Sequence, residues 1–121
     1  MAGGKKHVVV GVDDDFRVRE SVERLVESAG YAHLVFSSAE EFLGSGTLAA
    51  ATCVITDVRM PGKMDGLALA REVHDRWPHI GIMVVSGQSI PGTHRLPAGC
   101  RFLRKPYCPE AAVKHAHEMT A

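Results

Sequence analysis

Aspartates gather at two places in this chain, in the run Asp13-Asp14-Asp15 and at Asp57, while Lys105 stands before Pro106 near the far end. Each follows a short apolar run: Val8 to Val12, Cys53 to Ile55 and Phe102-Leu103. The β-branched residues of Cys53-Val54-Ile55 suit a buried strand, and Asp57 comes just before a Met60-Pro61-Gly62 break, so it faces a loop from a strand's carboxyl end. An aspartate there has two readings, a turn residue capping its own backbone or a reactive carboxylate, and its position alone leaves both open.

If the acidic residues converge, charge dictates the chemistry. Three carboxylates brought close together repel, and one or two take up protons unless a cation is bound. Mg²⁺ suits them better than Ca²⁺, because it accepts a few carboxylates, keeps several waters and bridges to phosphate oxygens. A phosphoryl group moving in line onto Asp57 would need the metal, an ammonium and a hydrogen-bond donor around its peripheral oxygens. Lys105 supplies the ammonium and Ser86 the hydroxyl. In this scheme Asp57 is the nucleophile, Asp14 a direct metal ligand, Asp13 a ligand through water, and the backbone carbonyl of Arg59 a further oxygen.

These residues must be carried to one place, and the hydrophobic pattern says how. His7 to Asp13 is too uniformly apolar for a half-exposed strand and reads as a central one, covered on both faces. A helix is expected from Phe16 to Ala29, with Val18, Val22, Leu25, Val26 and Ala29 as its apolar stripe and Gly30 as its stop. Tyr31 to Phe36 is a second strand. Ser37 or Ser38, with Glu40 or Glu41 three residues on, forms a capping box for a second helix that Gly44 and Gly46 weaken, and Leu48 to Ala51 forms a further turn. The third strand ends at Asp57. Leu67, Ala70, Val73, His74 and Trp77 mark a third helix that Pro78 ends. Ile80 to Ser86 and Arg101 to Leu103 are strands four and five, and Pro109 opens a terminal helix running to Met119. Alternating strands and helices imply right-handed crossovers and a parallel sheet with helices on both faces, whose functional crevice lies beyond the strands' carboxyl ends.

Composition narrows the function. At 121 residues, 45% hydrophobic and 23% charged, the chain has the makings of one domain, residues 7–121 after a tail of residues 1–6. A formal net charge of zero offers no bulk attraction to nucleic acid or anionic lipid, so any effect on DNA is expected to be indirect. The longest apolar run meets three aspartates at once, which fits neither a membrane span nor a signal peptide and points to the cytoplasm. Cys53, Cys100 and Cys108 form no CxxC pair and read as reduced thiols, with Cys53 a core residue. His115 and His117, two apart on a helix, point to different faces rather than to one metal.

In this order, VDDDFRVRE, VITDVRMPGKMDG, VVSG and FLRKPY are similar to the motifs of the receiver domain of bacterial two-component response regulators, and the likeness covers essentially the whole chain. It resembles the single-domain, chemotaxis-regulator-like form. The resemblance implies a flavodoxin-like doubly wound α/β fold, five parallel strands in the order 2-1-3-4-5. It also implies transfer of a phosphoryl group from phosphohistidine, on a sensor histidine kinase or a histidine phosphotransfer protein, onto Asp57 with Mg²⁺. The only catalysis implied is the domain's own phosphorylation and dephosphorylation. Output would pass by contact with a downstream protein or by relay, the domain acting as a monomer or weak dimer. Phe102 matches the aromatic whose rotamer reports phosphorylation and forms the switch with Ser86, Arg59 and Gln88 occupy positions that tune dephosphorylation, and the Lys105-Pro106 peptide is usually cis.

Plainer readings stand beside these. Asp15 reads as a helix cap, Arg17, Arg19 and Arg24 as a solvated helix face, and Met60 and Phe102, taken alone, as core residues. Two stretches depart from the family. The loop MPGKMDG is one residue longer, so Lys63 either swings near the crevice or lengthens a turn. Between Ser86 and Lys105 the chain is shorter and carries Pro91, Gly92, Pro97 and Gly99, so a fourth helix is expected to be reduced or missing, with Ile90 and Leu96 extended. Two other functions compete: an interaction module with a receiver fold that needs no phosphate, and a metal-dependent phosphatase, whose Asp-x-Asp-x-Thr/Val motif Asp13 to Arg17 does not complete.

Overall fold

The computed structural model describes residues 8–48, 50–59, 64–87, 99–105 and 109–120. Among the described residues five strands and four helices follow in chain order: β1 (Val8–Val12), α1 (Phe16–Ser28), β2 (Ala32–Phe36), α2 (Ala39–Leu43), β3 (Cys53–Asp57), α3 (Gly66–Arg76), β4 (Gly81–Ser86), β5 (Arg101–Arg104) and α4 (Pro109–Thr120). The strands form one sheet in the order β2-β1-β3-β4-β5, and every pair in it is parallel. This is the doubly wound, flavodoxin-like fold, in the strand order that the family resemblance implies.

Continuous apolar strands are explained by a core on each side. Neighbouring side chains on a strand point to opposite faces. Val9, Cys53, Ile55, Met83 and Val85 pack with Val22 and Val26 of α1 and Ala116 of α4. Val10, Val12, Val54, Ile82 and Val84 pack with Phe42 of α2 and with Leu67, Leu69, Ala70 and Val73 of α3. Leu69 is fully buried although it lies off the expected stripe, whereas His74, placed on that stripe, has a side chain 40% exposed. Helix α3 buries Gly66, Leu67, Leu69, Ala70 and Val73, a wider arc than one line of contacts.

Local chemistry sets the helix ends. The Asp15 carboxylate accepts from the Arg17 N–H at 2.9 Å, making it the cap of α1. At α2 the Ser38 hydroxyl accepts from the Glu41 N–H, and the Glu41 carboxylate accepts from the N–H of Ser37 rather than from that of the cap itself. This helix has only five residues before Gly44 caps it, and Thr47 then accepts from Ala50 and Ala51 in the short turn expected there. Among the described residues no helix is long and apolar enough to cross a membrane. The expectations for His7, Met60, Lys63, Gln88, Ile90, Pro91, Gly92, Leu96, Pro97, Pro106 and Cys108, and for the shortened fourth helix, fall outside the described residues.

Candidate functional site at the carboxyl ends of the strands

A parallel sheet brings all its carboxyl ends to one edge, and the register decides which residues meet there. Asp57 pairs with Val85, and Ser86 with Arg104. The ladder runs one residue further on each side: the Val58 N–H donates to the Val85 carbonyl at 3.0 Å, and the Lys105 N–H to the Ser86 carbonyl at 2.7 Å. Backbone bonds therefore hold Asp57, Ser86 and Lys105 in one row, with Asp13 beside them at the end of β1.

Asp13 is buried and almost fully committed. Its N–H donates to the Phe36 carbonyl at 3.0 Å, its carbonyl accepts from Arg19 Nη1 at 2.9 Å, and its Oδ1 accepts from the Asp15 N–H at 2.9 Å. Oδ2 alone accepts no hydrogen bond among the described residues, and it lies 3.5 Å from Lys105 Nζ. The same ammonium lies 3.5 Å from Asp57 Oδ1. One carboxylate oxygen each from Asp13, Asp14 and Asp57 falls within 4.8 Å of the others, with Asp14 exposed to solvent. An all-oxygen donor set, partly open to water and containing one buried oxygen without a donor, fits a hard divalent cation such as Mg²⁺.

Charge and burial pull these groups in opposite directions. Burial pushes the Asp13 carboxyl above the usual aspartate range, against the downward pull of the Asp15 N–H and the Lys105 ammonium, and the charges of Asp57 and Asp14 add to the rise. Burial alone would lower Lys105, but the Asp13 and Asp57 carboxylates outweigh it and hold the ammonium above its ordinary value.

A stability prediction follows from the sign of the Asp13 shift. A carboxyl that binds its proton more tightly folded than unfolded contributes stability in acid, and that contribution is lost as pH rises through the folded value. In chelator-treated protein at pH 7.5, Asp13→Asn keeps an acceptor for Asp15 and removes the buried charge. It should be more stable than its parent by about 1 kcal/mol, the size expected of one uncompensated buried polar group. Urea midpoints should converge as the pH falls to the ordinary aspartate value of 3.8. A loss of stability at pH 7.5 would contradict the account.

Other expected residues are accounted for individually. Ser86 is buried at the end of β4, and Arg59 is exposed two residues beyond Asp57. Phe102, opposite Val84, is half-buried against the core that holds Val84. The Tyr31 hydroxyl lies 3.0 Å from His117 Nδ1, and Arg101 Nη1 lies 2.7 Å from His115 Nδ1, so the two imidazoles do point different ways. Burial pushes the Cys53 thiol up to about 12, which makes it an inert core residue.

Three contributors were not legible beforehand. Thr56 is fully buried and its hydroxyl donates to the Asp57 carbonyl at 3.0 Å. Gly66 packs its backbone directly on Asp57. Arg19, assigned to a solvated face together with Arg17 and Arg24, instead turns back to Asp13, and its place one turn beyond the acidic run was the available signal.

The sequence matches the response regulator receiver domain family over residues 9–116. It is similar to the transcriptional regulatory protein FixJ of Azorhizobium caulinodans, 38% identical over 105 residues that make up 84% of this chain and 49% of that protein. It is also 38% identical to the response regulator protein TodT of Pseudomonas putida over 103 residues, 83% of this chain and 45% of that one. The chain thus spans about half the length of these curated relatives. Among solved structures it superposes on response regulator StyR with a TM-score of 0.85 and 33% identity, covering 95% of this chain and 59% of that one. A receiver protein from Sinorhizobium medicae shares the fold at a TM-score of 0.84 and 24% identity, with 96% of this chain and 95% of that one covered. The family match runs from β1 into α4, with the aspartate cluster and its lysine at the strand ends; the chain belongs to the receiver domains of bacterial two-component response regulators, whose chemistry is confined to their own phosphorylation and dephosphorylation.

Proposed function

We propose that the domain, residues 7–121, accepts a phosphoryl group on Asp57 from a phosphohistidine of a sensor histidine kinase or histidine phosphotransfer protein. It then signals to a downstream protein, or relays the group onward, by protein contact. On this reading the exchange belongs in the cytoplasm. The observation that carries it is the Lys105 ammonium held 3.5 Å from carboxylate oxygens of both Asp57 and Asp13, beside an Asp13 oxygen that no hydrogen bond satisfies among the described residues.

An Asp57 carboxylate oxygen attacks phosphorus as the phosphorus–nitrogen bond breaks, and the imidazole leaves with the bonding pair and takes a proton from solvent. Asp13, Asp14 and Asp57, with the Arg59 carbonyl, would hold Mg²⁺, which when bound neutralises charge on the phosphoryl oxygens. Lys105 neutralises another of those oxygens and the Ser86 hydroxyl donates to a third. Ser86 sits on β4 beside β5, so its movement toward the phosphoryl group can be transmitted to Phe102, which pairs with Val84 two residues back along the same ladder.

Incubation with acetyl phosphate or phosphoramidate and Mg²⁺, read by intact mass, should add one phosphoryl group. Asp57→Asn should abolish the addition. Equal labelling of the variant would remove Asp57 from its role, and an unlabelled parent would favour an interaction module that needs no phosphate.

A further inference from the structure

Arg19 sits on α1 one turn beyond the acidic run, half-buried, with its side chain folded back toward β1. Its guanidinium carbon lies 5.8 Å from the centre of the Phe16 ring, and the residue lines a small recess together with Asp13, Val18 and Asp57. The bond from Nη1 to the Asp13 carbonyl, at 2.9 Å, has a structural consequence. A peptide unit is planar, so holding the Asp13 carbonyl also sets the direction of the Asp14 N–H and the place of the Asp14 Cα from which its side chain departs. The N–H and Oδ1 of Asp13 are already held by Phe36 and Asp15. Arg19 closes the set and leaves Oδ2 as the one group of Asp13 committed to the acidic cluster.

We infer that Arg19 is a positioning residue for the cation site: by clamping the Asp13–Asp14 peptide it presents both carboxylates in a geometry that a small octahedral cation accepts. This rests on the reading that Asp13, Asp14 and Asp57 hold Mg²⁺. Geometry and charge make opposite demands on the test. A guanidinium lining the same recess as Asp13 and Asp57 repels a dication, so by Coulomb's law alone its removal tightens Mg²⁺ binding. If the guanidinium clamps the turn, its removal weakens binding.

Arg19→Met keeps the apolar stem and loses every donor, whereas Arg19→Gln keeps one N–H donor and loses the charge. Calorimetric titration of the chelator-stripped proteins with MgCl₂ should show the Kd rising about tenfold in Arg19→Met, in the range known for groups that orient metal ligands. Arg19→Gln should bind as tightly as the parent or more tightly. In the metal-free state, amide hydrogen exchange at Asp14 should quicken in Arg19→Met and not in Arg19→Gln. A Kd in Arg19→Met equal to or below that of the parent overturns the inference, and so does a Gln variant as weak as the Met variant. A parent that binds no Mg²⁺ would instead sink the metal reading itself, and the clamp with it.

Discussion

Gly66→Ala is expected to destabilise the domain by more than about 3 kcal/mol, and to slow phosphorylation well beyond what the stability loss explains. A Cβ at Gly66 would overlap the Asp57 carbonyl oxygen, and it would lie 2.7 Å from the carbonyl carbon and 2.9 Å from the Val58 Cα. These obstacles are backbone, so no rotamer change relieves them. Nor can the helix move aside cheaply. The Gly66 N–H is tied to the Val58 carbonyl at 2.8 Å, the Asp65 side chain caps α3 through the Ala68 N–H at 2.8 Å, and Leu67, Leu69 and Ala70 are buried behind it. Either α3 lifts from the sheet and opens the core, or the end of β3 shifts and takes Asp57 with it. Gly87→Ala is the control, since among the described residues nothing lies within 4 Å of a Cβ there, and its urea midpoint should match the parent to within about 0.5 kcal/mol. Equal midpoints for the two variants would mean that the α3–β3 contact is looser than this packing requires.

What was legible in the sequence, and what was not, divides along the same line. Strand ends were readable because a buried parallel strand is a run of apolar residues and the first charged residue after it marks the edge: Val12 before Asp13, Thr56 before Asp57. The gathering of the aspartates near Lys105 followed from those strand ends, whereas sheet order came with the family likeness, since no local pattern says which strand neighbours which. The role of Gly66 was invisible, because a glycine in the first turn of a helix has many causes and only the approach of another backbone picks out this one. Arg19 misled for a related reason. An arginine spaced with Arg17 and Arg24 along a helix looks solvated, and what recruits it is a carbonyl six residues back that a helical periodicity does not weigh. Leu69 shows the limit of a single stripe, since α3 buries a position flanking the stripe as well.

Lys105→Met is expected to lower the rate of phosphorylation by about 100- to 1,000-fold at saturating Mg²⁺, the loss typical of removing one donor aimed at developing charge. The ammonium is the group that lies 3.5 Å from oxygens of both Asp13 and Asp57, so its loss leaves a phosphoryl oxygen without its cation. Mg²⁺ affinity should move the other way. Taking a positive charge from among three carboxylates makes them a better cation site, and the Kd should fall. A lower rate with tighter metal binding separates a residue acting on the phosphoryl group from one that merely helps to hold the metal. Stability gives an independent check with its own sign. The carboxylates hold Lys105 above its ordinary value, so the stability it confers is present below the unfolded lysine value of 10.5 and is lost as pH rises through the folded one. In chelator-treated protein the variant should therefore be less stable than the parent at neutral pH, and the gap should close in strong alkali. A rate within about threefold of the parent would detach Lys105 from the chemistry, because that is far less than one lost donor costs.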